Sequence, residues 1–434
     1  MKIWIAGEPY AEIKNLSFSP QVDLIGNALP INEFAADILT TDDIGVGAGA
    51  ILTDGVDDND WWAAFFLDYA ERVDAQTVHI RARDNVAILD AIHLSDVVYT
   101  NTPLKTVLDG TMLRDAGEET GIEVPMDYTL DSALLGVTVS GYFPEQTARE
   151  RLQWVCFVAG AYVQTCFVDE ITIKALDATP TLIPVDKTFW RPQINHGDYV
   201  TAIKLTAYTF TQDADAAEDA GSYTFPLPWV ATTQDYRLDN PGVTLDRENV
   251  MDVGELYAIN PGNVSALLNR MADRYFTRTE ITADVIDNGE YLPGDRVYIF
   301  DRDGNCWQGY IEAASFRFGR QARATLKVVA ASAVETADLI VSYTYSGTTL
   351  HTETYSIPVG YEYSVGTRYL DLEAEGHRTV YRPTVQSVSG TMTGAGASAA
   401  VPCEIALDYE GGVLSIYAVD EAQVGSDLFT MVVS

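Results

Sequence analysis

GYFPEQTARERLQWVCFVAG, residues 141–160, followed by AYVQTCFVDEITIKAL, residues 161–176, is the stretch on which the reading of the fold turns. Thr147-Ala148-Arg149-Glu150 is a capping box: the threonine hydroxyl and the glutamate carboxylate each answer a backbone N–H left without a partner at a helix start. Behind it Ala148, Leu152, Val155 and Ala159 recur at helical spacing, and Trp154, Phe157 and Val158 widen the apolar surface. Gly160 supplies a C-terminal stop. The spacing predicts a nearly buried helix, followed by a hairpin of residues 162–167 and 171–176 that turns at Asp169-Glu170.

Outward from this helix most of the chain reads as short strands rich in Val, Ile, Thr, Tyr and Phe, punctuated by Gly, Asn, Asp and Pro turns. A second helix is expected after Asn260-Pro261-Gly262, with Asn263 as its cap and Val264, Leu267, Leu268, Met271 and Tyr275 on one face. It leads into a strand with Ile281, Ala283 and Val285 inward, the turn Leu292-Pro293-Gly294-Asp295, and a strand over residues 296–300. Asp301-Arg302-Asp303-Gly304-Asn305 makes the next turn, and the alternation Ala322, Ala324, Leu326, Val328 closes a sheet, an order that fits a partly closed antiparallel barrel. Residues 60–73, with Trp61, Trp62, Phe65, Phe66, Leu67 and Tyr69, suit helix or strand; the short polar break before Thr77-Val78-His79-Ile80-Arg81 favours a strand hairpin. Residues 212–221 (QDADAAEDAG) read as an acidic loop. Beyond Ala337 no helical period survives, and Tyr343, Tyr345, Tyr355, Tyr361, Tyr363 and Tyr369 suggest a separate β-sandwich.

Charge is the outlying bulk property. With 63 acidic against 27 basic residues in 434, the formal charge is −36. Such a surface repels a polyanion over a Debye length of about 8 Å at physiological salt, which argues against stable nucleic-acid binding and against anionic membranes. No stretch approaches the roughly 18 apolar residues of a membrane helix. The apolar run of Met1-Lys2-Ile3-Trp4-Ile5-Ala6-Gly7 stops at Gly7, Glu8 and Pro9, short of a secretory core, so the expected compartment is the cytosol until a larger particle leaves the cell.

Motifs that carry chemistry fail one by one. Gly45-Val46-Gly47-Ala48-Gly49 lacks the Lys-Ser/Thr of a phosphate loop and the following helix of a dinucleotide site. Asp301–Asn305 opens like a calcium loop but has no glycine at the sixth position and reads better as a hairpin turn. Asp213, Asp215, Glu218 and Asp219 could share a cation, but a solvated loop explains them better. Cys156, Cys166, Cys306 and Cys403 are scattered, as are His79, His93, His196, His351 and His377, so neither set forms a zinc pattern. With no Gly-x-Ser-x-Gly elbow and no His-Glu-x-x-His, the sequence nominates no catalytic, cofactor-binding or metal-ligating residue.

The segment from Gly141 to Val155, with Gly160-Ala161 and the hairpin behind it, resembles the hub proteins of phage and prophage tails, in which a T-x-R-E-A-L-Q helix is followed by G-A and a β-hairpin. Three other segments agree in order: LPINEFAADIL at residues 29–39, ARDNVAILD at 82–90, and LPGDRV at 292–297. The match spans roughly residues 1–335. The resemblance implies a mainly β, α+β chain with a first β-barrel-like domain at 1–98, an α/β intervening domain at 99–180 and a related second β-barrel-like domain at 181–335, while the C-terminal β-sandwich at 336–434 rests on its tyrosine-rich strands. It further implies a non-enzymatic scaffold, a homo-oligomer (a trimer) that presents six barrels to a hexameric tail tube, with a tail tube or distal tail protein and a tip or fibre protein as partners. An acidic lumen would then keep passing DNA from adhering. The competing readings are a surface adhesin whose C-terminal tyrosines stack on sugars and a glycan-cleaving tail enzyme, which would need two carboxylates facing across a cleft.

Overall fold

A computed structural model describes residues 2–25, 28–47, 49–53, 61–112, 128–165, 171–176, 179–212, 229–243, 247–259, 261–287, 289–317 and 323–345, and beyond these the strands named below. The acidic stretch from Asp213, the turn Asp169-Glu170 and Ala322 lie outside the described residues. The chain forms two compact units: Met1–Val297 with Gln308–Ser332, and Tyr298–Trp307 with Ala333–Ser434.

The first unit is organised by one long sheet. Its hydrogen-bonded order runs Thr188–His196, Thr279–Ile286, Arg323–Val334, Cys306–Arg317, Ile13–Phe18, Glu33–Leu39, Thr77–Arg83, Trp61–Arg72, Gly49–Thr53, Lys2–Ile5 and Glu8–Tyr10. Alternation puts Phe34, Ala36 and Ile38, then Val78, Ile80 and Ala82, then Ile281, Ala283 and Val285, then Ala324, Leu326 and Val328 on buried positions, as a period of two requires. Residues 61–72 form the expected strand, paired antiparallel with Thr77–Arg83.

The same strand order occurs twice in this sheet. In residues 13–83 the chain order 13–18, 33–39, 61–72, 77–83 becomes the spatial order first, second, fourth, third. In residues 188–334 the strands 188–196, 279–286, 306–317 and 323–334 take the same order. Neither module closes into a barrel. The edge of Cys306–Arg317 that would have to reach Thr188–His196 is instead taken by Arg296–Phe300 and, at Phe316, by Ile13–Phe18 of the other module.

Three α-helices among the described residues lie with smaller sheets. Helix α1 (Leu104–Met112) was not marked in the sequence, though Leu104, Val107, Leu108 and Met112 are buried at helical spacing. Helix α2 (Ala148–Ala159) has the expected capping box: the Glu150 N–H donates to Thr147 Oγ1 (3.2 Å), and the Thr147 N–H to Glu150 Oε2 (2.8 Å). Gly160 ends it in the left-handed conformation, φ 75°. Helix α3 (Val264–Tyr275) buries Val264, Leu267, Leu268 and Met271. Asn263 stands before it but makes no capping bond, because the chain enters through the 3-10 turn Pro261–Asn263 with Asn263 already near helical angles.

Ala161–Gln164 pairs antiparallel with Ile171–Ala175, as the hairpin reading requires, and Tyr128–Leu130 adds a parallel strand. Val97–Pro103 pairs with Thr138–Phe143. Ala202–Gln212 lies between Trp229–Asp239 and Val250–Leu256. Inward residues of these sheets, Val139, Phe143, Ile173, Ile203, Leu205 and Leu256 among them, share one core cluster with all three helices.

In the second unit, a sheet runs Thr348–Pro358, Thr336–Tyr345, Thr430–Val433, Ser387–Gly394, Ala397–Asp408, Val413–Ala418, Thr367–Arg368, and Glu373–Ala374 pairs separately with His377–Arg378. Among the described residues no helix is long and apolar enough to cross a membrane, which says nothing of strands.

Arg149 departs from a solvent-facing reading. Its Nε donates to Asp90 Oδ1 (2.6 Å) and its Nη1 to the Leu29 carbonyl (2.8 Å). We expect Leu152→Asp to destabilise by on the order of 4 kcal/mol or more, since Leu152 is fully buried and the new carboxylate would have no partner; a urea midpoint like that of the wild type would refute the packing. Arg149→Ala should cost about 1–2 kcal/mol in the same titration, the ion pair being partly screened, where a solvent-facing arginine would cost nothing measurable.

Candidate functional site

The residues that carry the sequence resemblance meet at junctions between structural parts. Leu29 and Asp90, from two of the quoted segments, both hold Arg149 of the third. Beside them lies a buried polar chain. The Asn32 N–H and the Thr165 hydroxyl donate to Asp84 Oδ2 (3.0 and 2.7 Å), the Asn32 amide donates to Thr165 Oγ1 (3.0 Å), and Asn32 Oδ1 accepts from the Gln21 N–H (2.9 Å). Gln21 in turn bridges to Ala313. One chain of hydrogen bonds therefore runs from the second module, through the first, to the end of Ala161–Gln164.

The joint between modules is built on backbone and apolar surface. Phe18 pairs with Phe316, their rings stacked with centroids 5.7 Å apart and both nearly fully buried. The Ala314 N–H donates to the Pro20 carbonyl (3.0 Å) and the Val22 N–H to the Glu312 carbonyl (2.9 Å), so residues 18–22 run alongside 312–316.

The fourth resembling segment anchors the middle part to the second module. Gly294 adopts φ +99° and lies so close to the buried ring of Tyr162 that a Cβ would stand 2.2 Å from it. A side chain is excluded there on both counts. Asp295 Oδ2 closes the turn on the Leu292 N–H (2.9 Å). Arg270 of α3 donates to the Phe157 carbonyl at the end of α2 (2.6 Å), where a cation suits the helix dipole. Burial pulls its guanidinium down to about 10, which leaves it charged at neutral pH. Arg151, also buried, donates to the Ser95 and Pro144 carbonyls.

The sequence motifs set aside as chemistry take structural roles. Gly47 is a turn residue at φ +87° whose N–H donates to the Leu67 carbonyl. The Asp301 carboxylate accepts from the Asp303 and Asn305 N–H groups, the Asn305 amide and the Trp307 indole, and so ties its own turn. Cys156 and Cys306 are buried free thiols that burial pushes up to about 12, far from a reactive thiolate. Cys166 and the side chain of Cys403 are outside the described residues, as are Asp213, Asp215, Glu218 and Asp219. His79 Nδ1 sits 2.7 Å from Asp37 Oδ1 across neighbouring strands, and that contact, with Asn15, holds the Asp37 carboxyl below its usual range.

Sequence reasoning missed the Phe18–Phe316 joint and the roles of Arg151 and Arg270. Long-range pairing leaves no local signal, whereas Gly160 and Gly294, read as a helix stop and a turn, take the positive φ that those readings call for.

Burial pushes the Asp84 carboxyl up to about 6, against 3.8 for the free group. The folded chain then binds this proton more tightly than the unfolded chain, so stability contributed at Asp84 is highest near pH 4 and falls as pH rises towards 6. Asp287, also raised to about 6 by burial, slopes the same way. Asp84→Asn should remove its share, on the order of 2–3 kcal/mol across that window. Urea titrations from pH 4 to 7 test this: a variant with the wild-type slope would show that Asp84 does not titrate there.

No protein-family model and no curated protein matches the sequence. Among solved structures, the 43 kDa tail protein of prophage MuSo2 from Shewanella oneidensis aligns with a TM-score of 0.52 at 12% identity, over 76% of this chain and 97% of that one. The tail protein from Neisseria meningitidis MC58 aligns with a TM-score of 0.52 at 11% identity, over 76% of this chain and 95% of that one. At such identities the likeness is one of architecture: the chain has the fold of these phage tail proteins.

Proposed function

We propose that the chain is a non-enzymatic structural subunit of a phage or prophage tail tip or baseplate, a hub that closes into a ring with copies of itself. The ring would join a tail tube or distal tail protein to tip or fibre proteins, within the virion. The observation that carries this reading is the repeated strand order, with the two modules already joined edge to edge. The joint pairs the third strand of one module with the first strand of the other, a head-to-tail relation, and head-to-tail contacts generate rings when their rotation closes. One chain supplies two modules, so three chains supply six, a match to a hexameric tube. Thr188–His196, the first strand of the second module, ends the sheet path with one edge on Thr279–Ile286. Among the described residues no strand covers its other edge, and an uncovered edge is a template for another chain.

The charge fits the same role. A conduit for DNA works only if phosphates find no cations to hold them, and the chain has 63 acidic residues against 27 basic ones. Many of the basic groups are engaged with carboxylates of the same chain: Arg81 and Arg83 with Asp68, Arg274 and Lys327 with Glu312, Arg237 with Asp239 and Glu248.

Sedimentation velocity tests the assembly. We expect a trimer, closing alone or on addition of a tube protein, and association that strengthens as salt rises from about 0.1 M to 1 M, because the Debye length shrinks from about 10 Å to 3 Å and relieves repulsion between chains of charge −36. A strict monomer in every condition, tube protein included, would overturn the reading.

A further inference from the structure

Hydrogen bonds fix how the two modules correspond residue by residue. Gly47 and Gly294 both have positive φ, +87° and +99°, and each donates its N–H at 2.7 Å to a strand carbonyl, that of Leu67 and that of Ile311. Leu67 is therefore the counterpart of Ile311, and Asp68, Ala70 and Arg72 are those of Glu312, Ala314 and Phe316. The charges agree with this register: Asp68 is held by Arg81 and Arg83, and Glu312 by Arg274 and Lys327. Counting back from the same glycines, Phe34 matches Ile281. Their strand partners Phe18 and Ile194 match in turn, so Pro20 and Val22 correspond to His196 and Asp198.

Within the chain, residues 18–22 lie against 312–316, and the counterparts of both sides stand open. Gly197 turns its backbone groups inward, its N–H donating to the Arg278 carbonyl (2.9 Å) and its carbonyl accepting from Arg278 Nη1 (3.2 Å). Successive residues of a strand direct their backbone groups to opposite sides, so His196 and Asp198 turn theirs to the open edge. On the other side, Trp61–Arg72 is paired by Gly49–Thr53 as far as Phe66, and beyond the Gly47 bond no described strand takes that edge. Burial differs as a missing partner requires. Ala314, Phe316 and Phe18 are at most 2% exposed, whereas Ala70 and Ile194 are half-buried and Arg72 is exposed.

We propose that residues 194–198 of one copy lie antiparallel against residues 68–72 of the next, repeating between chains the joint that links the modules within one. The proposal rests on the ring reading and adds where its contact lies. A second copy is the occupant because each open edge is the counterpart of one that already accepts the other inside the chain. Asp198 then faces an aspartate whose charge two arginines already balance. The phenylalanine stack is not repeated: Ile194 lies on the stem of Arg72, whose methylenes offer less apolar surface than a ring. The contact between chains is accordingly weaker than the internal joint.

Disulfide trapping tests the placement. Paired in this way, Ala70 and His196 of adjoining copies have Cα atoms about 5.5 Å apart, inside the disulfide range of about 4.4–6.8 Å. The full chain carrying both Ala70→Cys and His196→Cys is oxidised under the conditions in which the wild type associates, and its products are separated without reductant beside those of each single variant. We expect covalent trimers, in a yield at least severalfold above either single variant. A wild-type trimer whose double variant cross-links no better than the single variants would overturn this placement and leave the ring reading standing. A covalent product that holds tube protein in place of a second copy would give the edge to that partner and likewise overturn it. A chain that stays monomeric with tube protein present would overturn both.

Discussion

The stacked pair Phe18–Phe316 and the backbone bonds on either side of it are the constraint on which the first unit depends. Two sheet modules of equal strand order each have an edge that must be paired, covered or left to solvent. Closing each module on itself would satisfy those edges and give two independent barrels. Joining them satisfies the same backbone groups and creates one continuous surface, at the cost of bringing together residues 298 positions apart in sequence. The rings stabilise the joint by excluding water from the adjoining hydrogen bonds; such a pair adds about 0.5–1.5 kcal/mol beyond the area it buries.

Around that joint the middle part is held by a shared apolar core and, within it, by buried polar groups. Asn32 and Asp84 bind one another through backbone and side chain, and Thr165 completes the set. Arg149, Arg151 and Arg270 each end on a backbone carbonyl of a different segment. Hydrogen bonds of this kind are directional where apolar contact is not, so they fix the placement of α2 relative to both modules. The charge costs show in Asp84, raised to about 6, and Arg270, lowered to about 10.

How much of this was legible in the sequence follows from the range of each interaction. The capping box at Thr147, the stop at Gly160, and the alternation at Ile281, Ala283 and Val285 are local, and each appears in the structure where the residues put it. Strand at 61–72 was legible only through its neighbour, because a run such as Trp61-Trp62-Ala63-Ala64-Phe65-Phe66 has no period of its own. Helix α1 went unread: Lys105, Asp109 and Gly110 dilute a short apolar pattern, and its burial comes from tertiary packing. The missed roles of Arg149 and Arg151 share one cause, for an arginine on a helix reads as solvated until the carbonyls it reaches are known. The degree of closure was not legible for a topological reason, since strand count and spacing are the same whether an edge returns to its own module or passes to the next.

That topological choice bears on how a strongly acidic chain could associate at all. In the first unit Arg81, Arg83, Arg237, Arg274 and Lys327 pair with carboxylates of the same chain, and other carboxylates, Asp287 and Glu255 among them, accept from backbone N–H groups or neutral side chains. With 63 acidic residues against 27 basic ones, complementary charge is a poor candidate for holding copies together. Strand-edge pairing needs none. Its energy comes from backbone groups and apolar side chains, both indifferent to net charge, and the joint at Phe18 and Phe316 brings two modules of one acidic chain together by those means. A contact of the same kind between chains would pay only the long-range repulsion, which salt screens. An acidic surface and the proposed self-association are thus compatible in this fold, because a sheet edge, and not the charged surface, would carry the contact.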